Sequence, residues 1–215
     1  QLRAQSSDVR SIAMSDKLHR AILDHDLDTL ARLLAAGDDP NELHEDCAPL
    51  HNAIENIEAV ALLLRHGADP NIWTGDHYAT PLLFAIEDGL QDVALMLLAA
   101  GADPNVRSDV GDVPIATCVA RGDLKMAATL LRAGAAKSIE ECPGDGTGMN
   151  ALGYAACLLN IEMIKLLLAW GASTTAGRAA TPTRWTGRWS LSTRAPGLAR
   201  IATTAPRGTP CAPSS

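Results

Sequence analysis

An all-α solenoid of helix-turn-helix repeats with extended loop fingers is the fold class predicted here, on the strength of three observations. The phrase Leu97-Leu98-Ala99-Ala100-Gly101-Ala102-Asp103-Pro104-Asn105 recurs nearly intact at Leu33 to Asn41 and Leu63 to Asn71; its first half recurs at Leu130 to Gly134 and Leu167 to Gly171. Its glycines, at 37, 67, 101, 134 and 171, stand 30, 34, 33 and 37 residues apart, which is the spacing of stacked repeats. Aromatic residues are only 3% of a chain that is 47% hydrophobic. Its core must therefore be built from Ala, Leu, Ile and Val, which suits thin stacked helices better than a wide sandwich or barrel.

Each repeat opens on a second phrase: Asp16-Lys17-Leu18-His19-Arg20-Ala21, Ala48-Pro49-Leu50-His51-Asn52-Ala53, Thr80-Pro81-Leu82-Leu83-Phe84-Ala85, Val113-Pro114-Ile115-Ala116-Thr117-Cys118 and Asn150-Ala151-Leu152-Gly153-Tyr154-Ala155. A Thr or Asn at the head can cap a helix, and Pro at the next place loses no hydrogen bond there. Leu82, Ala85 and Ile86, like Leu50, Ala53 and Ile54 or Leu18, Ala21 and Ile22, keep the i, i+3, i+4 spacing of one buried stripe. The second helix of each unit ends on the leucine pair, with Val93, Leu97 and Leu98 turned toward the neighbouring unit. Gly at C′ then lets the backbone go left-handed, and Asp-Pro-Asn starts an extended loop. Two short helices cannot bury both faces alone, so the units must stack.

Three units depart from this plan. The first lacks Thr-Pro and shows Lys17, Arg20 and Asp24, as an N-terminal cap would. Repeat two lacks two residues between its helices, so a tight inter-helix loop is expected. In the fourth, Ala136-Lys137-Ser138 replaces Asp-Pro-Asn, and an enlarged loop at 139–149 is expected to be the most mobile finger. In the fifth, Ile161 to Trp170 is apolar on nearly all sides, where a last repeat should be polar outward.

The paired phrases, with a short helix, a second helix ending Leu-Leu-x-x-Gly-Ala-Asp and an extended loop, resemble the ankyrin repeat. The resemblance covers residues 16–175 in five copies, at about 16–46, 47–79, 80–112, 113–149 and 150–175. It implies a non-catalytic module binding another protein on its concave side, through loop fingers and exposed positions of the first helices. Carried onto this chain, the finger positions are His44, Glu45 and Cys47, then Trp73, Asp76, His77 and Tyr78, then Arg107, Asp109, Val110 and Asp112. The first helices add Glu55, Asn56, Glu87, Asp88 and Arg121. Trp73 and Tyr78 among acids have the aromatic-anchor-and-rim composition of an interface hot spot, against the plainer reading that they pack one finger on the next.

Charge supports a protein partner. Residues 1–175 hold all 25 acids and 12 of the 18 bases, a balance of −13, while 176–215 hold six Arg and no acid. A strongly acidic body argues against nucleic acid, which needs a basic face, and favours a partner with a cationic surface. The five cysteines (47, 118, 142, 157, 211) are odd in number and irregularly spaced. They read as reduced thiols of a cytoplasmic monomer, with Cys118 and Cys157 as packing residues. No run of residues is long and apolar enough for a membrane span, and Gln1 to Ala13 lacks the apolar core of a signal peptide. Met14 reads as the natural start, leaving residues 1–15 outside the repeats. The tail at 176–215, low in complexity and basic, is either a disordered extension or out-of-frame translation.

Neither a cofactor nor a metal is expected. His44, Cys47 and His51 offer metal ligands, but no fourth follows at a convincing spacing, and His51 occupies a structural place in its phrase. Acid pairs such as Glu87/Asp88 and Glu140/Glu141 read as a solvated face rather than catalytic dyads. Alternatives to a general binding module are an inhibitor or immunity-type protein occluding a basic enzyme site, and the targeting arm of an enzyme whose catalytic domain follows residue 175.

Overall fold

The computed structural model describes residues 17–44, 47–73, 79–109, 111–143 and 148–174, all within the unit Gln1–Thr183. Arg184–Ser215 forms a separate unit; the readings made on residues 1–15 and on the tail lie outside the described residues.

Ten α-helices form five antiparallel pairs among these residues. They are α1 (17–23) with α2 (Leu27–Ala36), α3 (Pro49–Asn52) with α4 (Ile57–Arg65), α5 (Pro81–Glu87) with α6 (Gln91–Ala99), α7 (Pro114–Arg121) with α8 (Leu124–Arg132), and α9 (Ala151–Cys157) with α10 (Ile161–Ala169). A 3-10 turn, Ala135–Ser138, follows α8. The described residues contain no strand, only an isolated antiparallel bridge between His44 and Cys47. Fold class is therefore as expected from the repeat spacing.

Local chemistry explains where helices start. Asp26, Asn56, Asp123 and Asn160 each accept a backbone N–H from the first turn of the second helix that follows, relieving donors that no helical carbonyl can reach. Proline opens α3, α5 and α7. Thr80, expected to cap α5, makes no side-chain cap bond, whereas Asn150 at the same place accepts from Gly153 N–H at 3.0 Å. At the other end, Gly101 takes φ +98°, which lets Ala102 N–H turn back onto the Leu97 carbonyl at 2.9 Å.

One continuous core runs along the array. Leu34, Leu63, Leu97, Leu130 and Leu167, one from each repeat, are all buried, as are Leu82, Ala85, Ile86 and their counterparts in the first two units. Small residues let the pairs approach closely: Ala53, Ala85 and Ala155 are fully enclosed on the first helices. Repeat two departs from expectation. Its two missing residues come out of the first helix, which shrinks to four residues against seven in α5, and the link to α4 is not tightened.

Leu159 is strained. It takes φ +53° where the third and fourth repeats place Gly89 and Gly122, and its side chain is 83% exposed. A left-handed non-glycine residue costs about 1 kcal/mol. Leu159→Gly is expected to raise the unfolding free energy by about that amount in urea titration; a fall would show that the leucine makes a stabilising contact.

Candidate partner-binding face

What holds successive fingers in register is an amide ladder. Asn41 Nδ2 donates to the Gly67 carbonyl at 3.1 Å, and its Oδ1 accepts Asp69 N–H at 2.7 Å. Asn71 repeats both bonds to Gly101 and Asp103, at 3.1 and 2.7 Å. Asn105 donates to the Gly134 carbonyl at 3.1 Å, and Ser138 Oγ meets its Oδ1 at 3.2 Å. Each Asp of the phrase in turn accepts the N–H of its own Asn at 2.9 Å. The last residue of Asp-Pro-Asn thus spends both ends of its amide on the next repeat.

Where the phrase decays, another side chain takes over. Ser138, at the place of Asn105, is buried and bonded back toward Asn105 and the Ala135 carbonyl. Glu140 instead reaches the fifth repeat, accepting Ser173 N–H on Oε1 and Asn150 Nδ2 at 2.9 Å on Oε2. Ser173 is the counterpart of Asp69 and Asp103, so the carboxylate replaces the missing amide. Bonds to a charged acceptor are worth about 1.5–3 kcal/mol. Glu140→Ala is therefore expected to raise amide hydrogen exchange across 150–174 while leaving 81–132 protected; a uniform rise, or none, would refute that role.

The described ends of the enlarged loop make several contacts. Ile139 and Pro143 are buried, Arg107 forms an ion pair with Glu141 at 3.4 Å and donates to the Cys142 carbonyl at 3.2 Å, and Cys142 Sγ contacts the Gly148 carbonyl at 3.3 Å. Residues 144–147 lie outside the described residues.

Histidines pin the fingers to the first helices. His19 Nε2 meets the Cys47 carbonyl at 3.1 Å and His51 Nε2 the Ala79 carbonyl at 3.0 Å. Both rings are buried, the His44 ring lies 5.1 Å from His19, and His44 and Cys47 exchange backbone bonds at 2.9 Å. Among the described residues no group of three or more His, Cys, Asp or Glu is arranged to hold a metal ion.

The best-defined part of the expected face lies between the third and fourth repeats. Glu87, Asp88, Asp112 and Arg121 come together there: the Arg121 guanidinium donates to the Glu87 carbonyl, and Glu87 feels the charges of Asp112 and Asp88. Ser108 shapes the neighbouring finger, its Oγ accepting Asp112 N–H at 2.8 Å and its N–H meeting the Asp112 carbonyl at 2.9 Å. Glu87, Asp88, Asp109 and Arg121 are exposed, as are Glu55 and Trp73. Asn56 is committed elsewhere, capping α4 through Glu58 N–H at 3.1 Å and Ala59 N–H at 3.2 Å. Glu45, Asp76, His77, Tyr78 and Val110 lie outside the described residues.

Loss of water around its carboxyl group, followed by repulsion from Asp112 and Asp88, pushes Glu87 up to about 7 against the pull of Arg121, although the residue keeps an exposed flank. The ordinary value is 4.5, so the folded chain binds the proton more tightly than the unfolded one. The resulting stabilisation is complete below the ordinary value and is lost as pH rises through about 7. Glu87→Gln is expected to flatten the decline in thermal stability over that window, by an amount reduced through solvent screening; parallel profiles for the two proteins would count against the crowding.

Burial pushes the Cys118 thiol far up, which keeps it neutral inside the core. Cys157, expected to be a packing residue, is instead exposed, with Sγ 3.6 Å from Met149 Sδ. No helix among the described residues is long and apolar enough to cross a membrane.

Residues 18–108 match the family model described as ankyrin repeats, in three copies. An ankyrin repeat protein of fowlpox virus is 32% identical over 152 residues, covering 67% of this chain and 33% of its own length. Protein phosphatase 1 regulatory subunit 27 of Homo sapiens is 43% identical over 70 residues, 31% of this chain and 44% of its own. The B-cell lymphoma 3 protein homolog of Mus musculus is 32% identical over 104 residues, 47% of this chain and 23% of its own. The chain spans less than half the length of each of these relatives.

Proposed function

Residues 18–108 belong to the ankyrin repeat family, and from that premise we propose that the protein is a non-catalytic interaction module whose finger face takes a cationic protein partner in a reducing compartment such as the cytoplasm. The observation that carries the reading is the grouping of Glu87, Asp88 and Asp112 where the end of α5 meets the next finger. Arg121 offsets only part of that charge. Three carboxylates around one guanidinium leave a net negative field at an accessible rim, and such a rim steers and orients a basic surface more than it adds raw affinity. The body balance of −13 over residues 1–175 extends the same sign along the chain.

Affinity capture with the full chain, read by mass spectrometry, identifies the partner. Its affinity is expected to fall at least about tenfold between about 0.05 and about 0.3 M salt, with most of the change in the association rate. A salt-independent affinity would remove the electrostatic reading. One relative favours a narrower version, since it is by name a regulatory subunit of a phosphatase: the partner would then be an enzyme whose basic site the acidic rim covers, and its activity would fall on titration with this protein.

A further inference from the structure

Resting on the acidic-rim reading above, we propose that recognition there is proton-linked: a lysine or arginine side chain of the partner takes the place of a proton held by Glu87 in the free chain. The geometry that points to it is a cluster of carboxyl groups whose cation is spent on the backbone. Arg121 reaches across from α7, and its guanidinium donates to the Glu87 carbonyl. It lies over the bare turn at Gly89, where a Cβ would stand 2.5 Å from its Nη2. Arg121 thus caps the end of α5 and draws on the Glu87 carboxyl only at longer range. Asp88, on the same turn, and Asp112, from the finger leading into α7, press on that carboxyl with like charge.

The other titratable groups on the described elements packed against α5 are engaged or set apart. His51 of α3 turns its ring edge-on to Phe84 and its Nε2 to the Ala79 carbonyl. Cys118 of α7 is a neutral thiol in the core. In the finger, Arg107 pairs with Glu141 of the next one, while Asp109, like Asp92 at the start of α6, is exposed. The carboxyl group of Glu87, pushed up to about 7, is therefore the group of this rim that exchanges its proton around neutrality. A cation entering the rim offsets the repulsion from Asp88 and Asp112, so it binds the ionised form and excludes the proton. The share of free chain in that form sets the apparent affinity. With a midpoint at about 7, the share is about a tenth at about pH 6 and about nine-tenths at about pH 8. Affinity for a cation is then lost as pH falls, over the same window in which the bound proton steadies the fold.

Carboxyl-carbon NMR on the full chain reads Glu87 directly, and a hexa-arginine peptide is the probe, titrated by calorimetry in two buffers of different ionisation enthalpy. Glu87 is expected to titrate at about 7 in the free chain and closer to its ordinary 4.5 with peptide bound. About half a proton should leave per peptide at about pH 7, and the dissociation constant should fall about tenfold from about pH 6 to about pH 8. Glu87→Gln should abolish the release and hold affinity near its low-pH level, whereas Glu58→Gln, at an exposed position of α4, should change neither. Melting curves show that both variants fold. Peptide bound without proton release, a Glu87 titrating at its ordinary value, or an equal response to Glu58→Gln would overturn the proposal and leave the acidic-rim reading standing. A peptide that binds at no pH would overturn both.

Discussion

Leu97→Ala is expected to lower the unfolding free energy by about 3 kcal/mol, the largest stability loss from one truncation in the array. Leu97 is fully buried on α6, in the middle repeat, with α5 beside it and α4 adjacent in the core. Removing its side chain loses the transfer term and leaves a cavity that flanking repeats cannot close without breaking their own packing. In a whole protein holding about 5–15 kcal/mol, such a loss is a large share. Because each repeat touches only its neighbours, a weak central unit also uncouples the two ends. Urea titration by circular dichroism should therefore show an earlier, shallower transition. A loss under about 1 kcal/mol with an unchanged slope would mean the site collapses around the smaller side chain.

Trp73→Ala is expected to weaken partner binding by about 2 kcal/mol, close to thirtyfold, while leaving the fold intact. Trp73 is 39% exposed at the start of the finger after α4. That is unusual placement for a large aromatic ring in a chain with so few, and a partly open tryptophan suits an anchor that fills a partner's pocket. Titration calorimetry with the captured partner reads the loss, and a melting curve separates it from destabilisation. Unchanged affinity, or a matching loss of stability, would return the ring to packing between fingers.

The repeat architecture was legible because a solenoid writes the same physical demands five times over. Leucine pairs, C′ glycines and helix-opening prolines each answer a local requirement that a phrase of nine residues can state. Junctions were harder to read. Asn41, Asn71 and Asn105 look like loop polarity until the neighbouring repeat supplies the carbonyl and N–H that each amide meets. Glu140 was hidden for the same reason, since its two donors come from Asn150 and Ser173, one of them 33 residues away. Asn56 has a local task that its surface position did not announce: its side chain caps the α4 N-terminus. Repeat two's deletion could be counted from the spacing but not located, because a helix can give up its last turn as readily as a loop can shorten.

The amide ladder has a consequence for how such a chain can change. Since register between units is set at the glycine turn and the Asp-Pro-Asn phrase, much of the finger beyond it carries less of the work of holding the stack together. Grafts at a finger tip keep the pitch of the array where they retain the residues that reach the next repeat or the core, as Arg107 and Val113 do. In the fourth unit the ladder contact itself is a carboxylate inside the finger. Grafts there would have to carry Glu140 with them, so that at the junction between the fourth and fifth repeats, as at Arg107, recognition and assembly are written in the same residues.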